Sequence, residues 1–221
     1  MCVIAVCDKR KLTRSEVDKM WEANPDGAGL AWVESGNVLV RKGLMRKADF
    51  HSAYEHVEIQ HVAHFRIATV GDKSAELTHP FEVSDESANR LRSTGKRAVL
   101  FHNGHENGMM EQLVNHCVSR GIRIPDGEWS DSRVIAMLSA TLGKNYLLLL
   151  KSKFATVSTR GIRMVGDFRR EDGVLVSNLF WKNTMPLLDL KRLEGEDLCG
   201  YTQEELNKLS SREINEWIGR P

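Results

Sequence analysis

The chain has 221 residues, of which 41% are hydrophobic and 28% charged, and a formal net charge of +1. That is ordinary for a soluble globular protein of one large domain, or one domain with a small appendage, and gives no electrostatic reason to expect a nucleic-acid or anionic-membrane partner. Four cysteines (Cys2, Cys7, Cys117 and Cys199), none in C-x-x-C spacing, do not make a disulfide framework or a zinc knuckle. With no signal-peptide h-region and no run of eighteen apolar residues, the expectation is a reduced, cytoplasmic compartment.

Cys2 to Cys7 (CVIAVC) is a short, apolar, β-branched run and reads as a buried strand. Thr13 and Glu16 make a capping box for a helix to about Trp21, with Val17, Met20 and Trp21 on one face. NPDGAGLAWV is a turn feeding a strand. Gly36-Asn37 predicts a reversal into Val38–Val40, and Phe50, Tyr54 and Val57 a second helix. Strands are expected at Val62–Thr69, Glu76–Val83 and Ala98–Phe101. A helix follows from about Met109 to Ser119, with Leu113, Val114 and Cys117 facing one way. Asp131 can cap a further helix carrying Val134, Ile135 and Leu138. The meander YLLLLKS, FATVST, IRMVGD and VLVSN fills Tyr146 to Asn178, so the pattern favours antiparallel sheets covered by helices, an α+β class. Residues 1–186 read as one domain. Residues 187–221 read as a helical tail with capping boxes at Thr202/Glu205 and Ser210/Glu213.

Several signals fail. Gly27-Ala28-Gly29 lacks the third glycine of a dinucleotide site, and Gly95-Lys96 lacks the upstream glycine of a phosphate loop. His61 and His64 would face opposite sides of a strand. His102 and His105 lie in a turn but have no evident third ligand, so no metal and no cofactor is expected.

Cys2 is different. If Met1 is removed, which the small size of cysteine favours, the thiol sits beside its own α-amine. That amine titrates at about 7.7–8.0 in model peptides and can serve as the base that a thiol nucleophile needs. Taken alone, Cys2 reads rather as a small buried hydrophobe.

Three internal stretches bear on the choice: HFRIATVG (His64–Gly71), FHNGHENG (Phe101–Gly108) and WSDSRVIAML (Trp129–Leu138). With the N-terminal MC and the early DGAGLA, they resemble, in order and spacing, the glutaminase domain of class II glutamine amidotransferases. That family belongs to the N-terminal-nucleophile (Ntn) hydrolases. The resemblance runs from Cys2 to about Asn178, some four-fifths of the chain. It implies a four-layer αββα sandwich of two antiparallel sheets flanked by helices. It implies that Cys2 attacks the side-chain amide of L-glutamine, forms a thioester and releases ammonia. Asn103 and the backbone N–H of Gly104 would bind the oxyanion, the missing side chain of Gly104 letting the substrate come close. Arg66 and Thr69 would hold the substrate carboxylate, and Asp131 its ammonium. The chain departs from the family pattern at Val70, where a histidine is common, and at Ile67, where a tryptophan is common. It also lacks an early arginine near NPDGAG. Only about 40 residues follow the glutaminase-like part, so the ammonia acceptor would be a separate enzyme, or the protein a free-standing amidohydrolase, with the tail as a docking element. The alternatives are an Ntn amidase for another amide and a catalytically silent module that binds glutamine or a partner.

Overall fold

Val3–Cys7 is apolar at every position, as a strand must be when both of its faces are covered. In the computed structural model, which describes residues 2–68, 73–143 and 145–183, this strand, β1, pairs on both edges. The other elements follow in chain order: α1 (Arg14–Ala23), β2 (Ala28–Glu34), β3 (Asn37–Leu44), α2 (Lys47–Glu55), β4 (His61–Phe65), β5 (Phe81–Glu82), β6 (Arg92–Gly95), β7 (Val99–Asn103), α3 (Met109–Arg120), α4 (Asp131–Leu142), β8 (Lys153–Ser158), β9 (Gly161–Val165), β10 (Arg169–Glu171) and β11 (Val174–Val176). The protein is thus mixed α+β, with four α-helices and two sheets among the described residues. One sheet has seven strands in the order β10-β11-β1-β4-β2-β3-β6, and the other has four in the order β5-β7-β8-β9. Every ladder is antiparallel.

The alternation of side chains along each strand divides the core into three clusters. Val3, Ala5, Leu30, Ala63 and Phe65 point from the larger sheet onto Val17, Met20 and Trp21 of α1 and Phe50 and Tyr54 of α2. Ile4, Val6, Ala31 and Val62 point the other way and meet Val99, Phe101, Ala155 and Val157 of the smaller sheet. Leu100 and Phe154, on the far face of the smaller sheet, pack with Leu113 of α3 and Val134, Ile135 and Leu138 of α4.

Local chemistry explains where the elements stop. Thr13 caps α1 through the expected box: Glu16 N donates to Thr13 Oγ1, and Thr13 N to the Glu16 carboxylate. The β2–β3 reversal is Ser35-Gly36, one residue earlier than expected, with both residues at positive φ as a twisted two-residue hairpin turn requires. β4 ends at Phe65 rather than Thr69. The strand expected over Glu76–Val83 shrinks to Phe81–Glu82 because Thr78 turns back on the Ala75 carbonyl and Pro80 has no N–H to give a ladder. YLLLL is a 3-10 turn (Tyr146–Leu149) rather than a strand; Tyr146 and Leu147 are buried, while Leu148 and Leu149 face solvent. Val114 is exposed, and Met109 takes its place in the buried stripe of α3. Polar β6 carried no strand signal; it pairs at the edge of the larger sheet. The tail at 187–221 and its two expected helices lie outside the described residues.

The irregular chain between β4 and β7 is held by buried cations. The Lys42 ammonium donates to the Glu76 carbonyl at 2.9 Å and Asn89 Oδ1 at 2.5 Å and lies 4.2 Å from the Phe81 ring centre. Burial lowers its pKa to about 7. The Arg133 guanidinium binds the Ser87, Asp126 and Glu128 carbonyls. Gly29 is required for a separate reason: a Cβ there would stand 1.9 Å from the His79 carbonyl oxygen, so only glycine lets that segment lie on β2.

Between the sheets, the His64 and His79 rings lie 4.0 Å apart, centre to centre. Burial lowers His64 to about 3 and His79 well below its ordinary range, and across the larger sheet it lowers His61 to about 4. Each folded-state value lies below the unfolded one. Between about pH 6.5 and 4 the unfolded chain therefore binds protons that the folded chain refuses, and stability must rise with pH across that window and level off above it. Each such histidine contributes up to about 1.4 kcal/mol per pH unit. Thermal melts from pH 7.5 to 4.5 should show this fall on acidification, and His64→Asn should make it shallower whatever its effect at neutral pH.

Candidate active site

β1 and β4 are antiparallel with Val3 opposite Phe65 and Ile4 opposite His64. One step further along that register, Cys2 stands opposite Arg66. The pleat gives Cys2 the face of Ile4 and Arg66 the face of His64, both toward the smaller sheet. The same alternation in β7 puts Asn103 on the side of Phe101 and Val99, where its amide reaches Ser177, whose hydroxyl also accepts from Ile4 N on β1. The thiol, cation and amide expected from the sequence thus lie just before β1, just after β4 and at the end of β7.

Cys2 is half-buried; Ile67 N donates to its Sγ at 3.4 Å, and the thiol donates to the Ile67 carbonyl at 3.5 Å. Burial pushes the thiol above its ordinary pKa, against the opposing pull of the Ile67 N–H and the Arg66 charge. Cys2 is thus held as the protonated thiol at neutral pH. Arg66 is buried, its N–H donating to the Gly27 carbonyl at 2.8 Å and its carbonyl accepting from Asp26 N at 2.9 Å. Asn103 is buried, with one N–H of Nδ2 on Ser177 Oγ at 2.7 Å. An amide nitrogen carries two hydrogens, so a second donor remains for an oxyanion.

Asp131 is the first residue of α4. The cap is Ser130, whose Oγ accepts from Arg133 N; the expected capping by Asp131 shifts back one residue because serine reaches that N–H from the extended backbone. The Asp131 carboxylate instead accepts from Ser132 N at 2.7 Å and Glu106 N at 3.1 Å, with His105 Nδ1 3.6 Å away. It is tied to the 103–106 turn and retains lone pairs for a further cation. Gly104 has a φ of +155°, and a Cβ there would stand 2.1 Å from Ser152 Oγ. What excludes a side chain is thus Ser152, itself held by Glu106, rather than only the approach of a substrate. Thr69 and Val70 lie outside the described residues.

Three residues escaped the sequence reading. Asn178 donates to the Cys2 carbonyl at 2.6 Å, and Ser177 is wholly buried beside it; their one signal was a polar pair closing the apolar run VLV. Asp26 accepts from Ala68 N at 2.9 Å and pairs with Lys73 at 2.6 Å, so one carboxylate grips the chain beyond Arg66 at two points. Despite its burial, these two donors and the Arg66 charge hold it below the usual carboxylate range. Among the described residues no group of three or more His, Cys, Asp or Glu side chains is placed to hold a metal ion, and no helix is long and apolar enough to cross a membrane.

A scan against models of known protein families finds no match, and a search of curated proteins finds none.

Gly104→Ala should lower the melting temperature by roughly 5–10 °C, from a clash worth about 2–3 kcal/mol. Adding Ser152→Gly removes both crowding atoms and should recover much of that loss in the same melt. If the single variant melts like the wild type, Ser152 does not constrain the turn.

Proposed function

We propose that this chain is a glutaminase of the class II glutamine amidotransferase type, an Ntn hydrolase whose two sheets and four helices stack as a four-layer αββα sandwich. The observation that carries the reading is that Cys2 bonds the peptide of Ile67, next to Arg66, while Ser177 joins the strand that follows Cys2 to the Asn103 amide. It is supported by the order of the RIAT, HNG and SDS motifs behind an N-terminal cysteine.

Once Met1 is removed, the free α-amine of Cys2 takes the thiol proton, and Sγ attacks the side-chain carbonyl carbon of L-glutamine. The raised thiol pKa makes that base necessary. The developing oxyanion accepts from Asn103 Nδ2 and the Gly104 N–H. Collapse breaks the C–N bond; the amine returns the proton to the departing nitrogen and ammonia leaves. Water then attacks the γ-glutamyl thioester by the reverse choreography, releasing glutamate and the thiol. Arg66 holds the substrate carboxylate with its planar fork, joined by the Thr69 hydroxyl, and Asp131 pairs with the ammonium. An Arg and an Asp at opposite ends select a free amino acid over a peptide. This chemistry needs no cofactor. The ammonia passes to a separate acceptor enzyme in the cytoplasm.

A second reading, an Ntn amidase for a different amide, is favoured by two features. Asp26 places a carboxylate within electrostatic reach of Arg66, and Ile67 stands where the resemblance leads one to expect an aromatic. A silent glutamine-binding module would instead bind ligand without turnover, unaffected by Cys2→Ala.

Ammonia release from L-glutamine, asparagine and a panel of γ-glutamyl and acyl amides separates the three. The expected result is turnover of free glutamine, abolished in Cys2→Ala and slowed about 10²–10³-fold in kcat by Asn103→Ala. Arg66→Lys should act mainly through KM. Turnover of another amide in preference supports the amidase, and turnover of none contradicts both enzymatic readings.

A further inference from the structure

Ser177 ends β11's pairing with β1 in an unusual way. Its N–H donates to the Ile4 carbonyl at 2.9 Å, as an antiparallel rung should, but the returning bond from Ile4 N goes to the serine hydroxyl at 2.9 Å rather than to its carbonyl. The carbonyl is taken by the Lys153 ammonium at 2.6 Å. The same hydroxyl oxygen accepts Asn103 Nδ2 at 2.7 Å. A hydroxyl has two acceptor lone pairs, and here one serves the strand that carries Cys2 and the other the amide assigned to the oxyanion.

We propose that Ser177 is a positioning residue that sets the separation between the Cys2 thiol and the Asn103 oxyanion donor; this rests on the glutaminase reading above. Ile4 is two residues from Cys2 on a buried strand, so its N–H is a fixed point relative to the thiol. The Asn103 amide ends a rotatable side chain on the opposite sheet. The hydroxyl joins the two sheets by one atom and fixes the plane of that amide before substrate arrives. Asn178, the next residue, ties the Cys2 carbonyl from the same side. Removal of the hydroxyl leaves the thiol in place and frees the amide to turn, so the loss falls on the step that builds charge on oxygen.

The test compares Ser177→Ala, Asn103→Ala, the double variant and Ser177→Thr on the full chain. Glutamine hydrolysis is measured beside alkylation of Cys2 by iodoacetamide, a displacement that needs no oxyanion donor. In Ser177→Ala, kcat should fall roughly 10–100-fold while KM and the Cys2 alkylation rate stay within about twofold. The double variant should be no slower than Asn103→Ala, since the serine acts through that amide. Ser177→Thr, which keeps the acceptor, should retain kcat within about threefold. The proposal is overturned if Ser177→Ala keeps wild-type kcat, if its loss multiplies with that of Asn103→Ala, if alkylation slows in step with kcat, or if Ser177→Thr is as slow as Ser177→Ala. A wild-type chain that hydrolyses no amide overturns the glutaminase reading itself, which is a different result from any of these.

Discussion

A slip of one residue between β1 and β4 would turn Cys2 from the inter-sheet gap to the face packed by α1 and α2, away from Arg66 and Asn103. The pairing of Val3 with Phe65 is therefore the constraint on which the candidate site depends. It is heavily specified. Val3, Ala5 and Phe65 must meet the aromatic layer of Trp21, Phe50 and Tyr54, while Ile4, Val6 and Val62 must meet Phe101 and Val157. Either set exposed or exchanged would cost roughly 1.5–3 kcal/mol for each large side chain. Side chains at positions 2 and 66 inherit their direction from that burial at no further cost.

The same burial shapes the chemistry. A half-buried thiol bonded to the Ile67 peptide unit stays protonated, unlike a thiolate stabilised at a helix N-terminus. Around it the charges are arranged in short range: Arg66 on the neighbouring strand, and Asp26 and Lys73 gripping the chain that follows. The buried histidines His64 and His79 are kept neutral by the same exclusion of water, which links the integrity of this part of the core to pH.

Much of this was legible in the sequence where physics is local. The Thr13/Glu16 box and the apolar face of α4 depend on neighbours three or four residues away and form where their patterns indicate, and the buried strand expected over Cys2–Cys7 forms from Val3 on, with Cys2 half-buried before it. Misreadings arose where the deciding partner was distant or the pattern ambiguous. YLLLL has no intrinsic period to distinguish strand from turn, and its two exposed leucines only reveal the answer in three dimensions. Arg92–Gly95 is a strand because β3 offers an edge, which no property of RSTG announces. Of the candidate site, Cys2, Arg66, Asn103 and Asp131 could be named from stretches that resemble a known family. Ser177, Asn178 and Asp26 could not, since a serine at the end of a strand acquires its meaning only when Ile4 and Asn103 arrive from 173 and 74 residues away.

The central claim is that Cys2 is a nucleophile for the side-chain amide of glutamine. Intact mass and peptide mapping after exposure to a glutamine-like diazo-ketone test it most directly, because the label must be recognised as an amino acid and then attacked by sulfur. The account predicts a chain beginning at Cys2 that gains one label on that residue, with protection by excess L-glutamine. A folded chain that retains Met1, or in which Cys2 stays unlabelled, would contradict it.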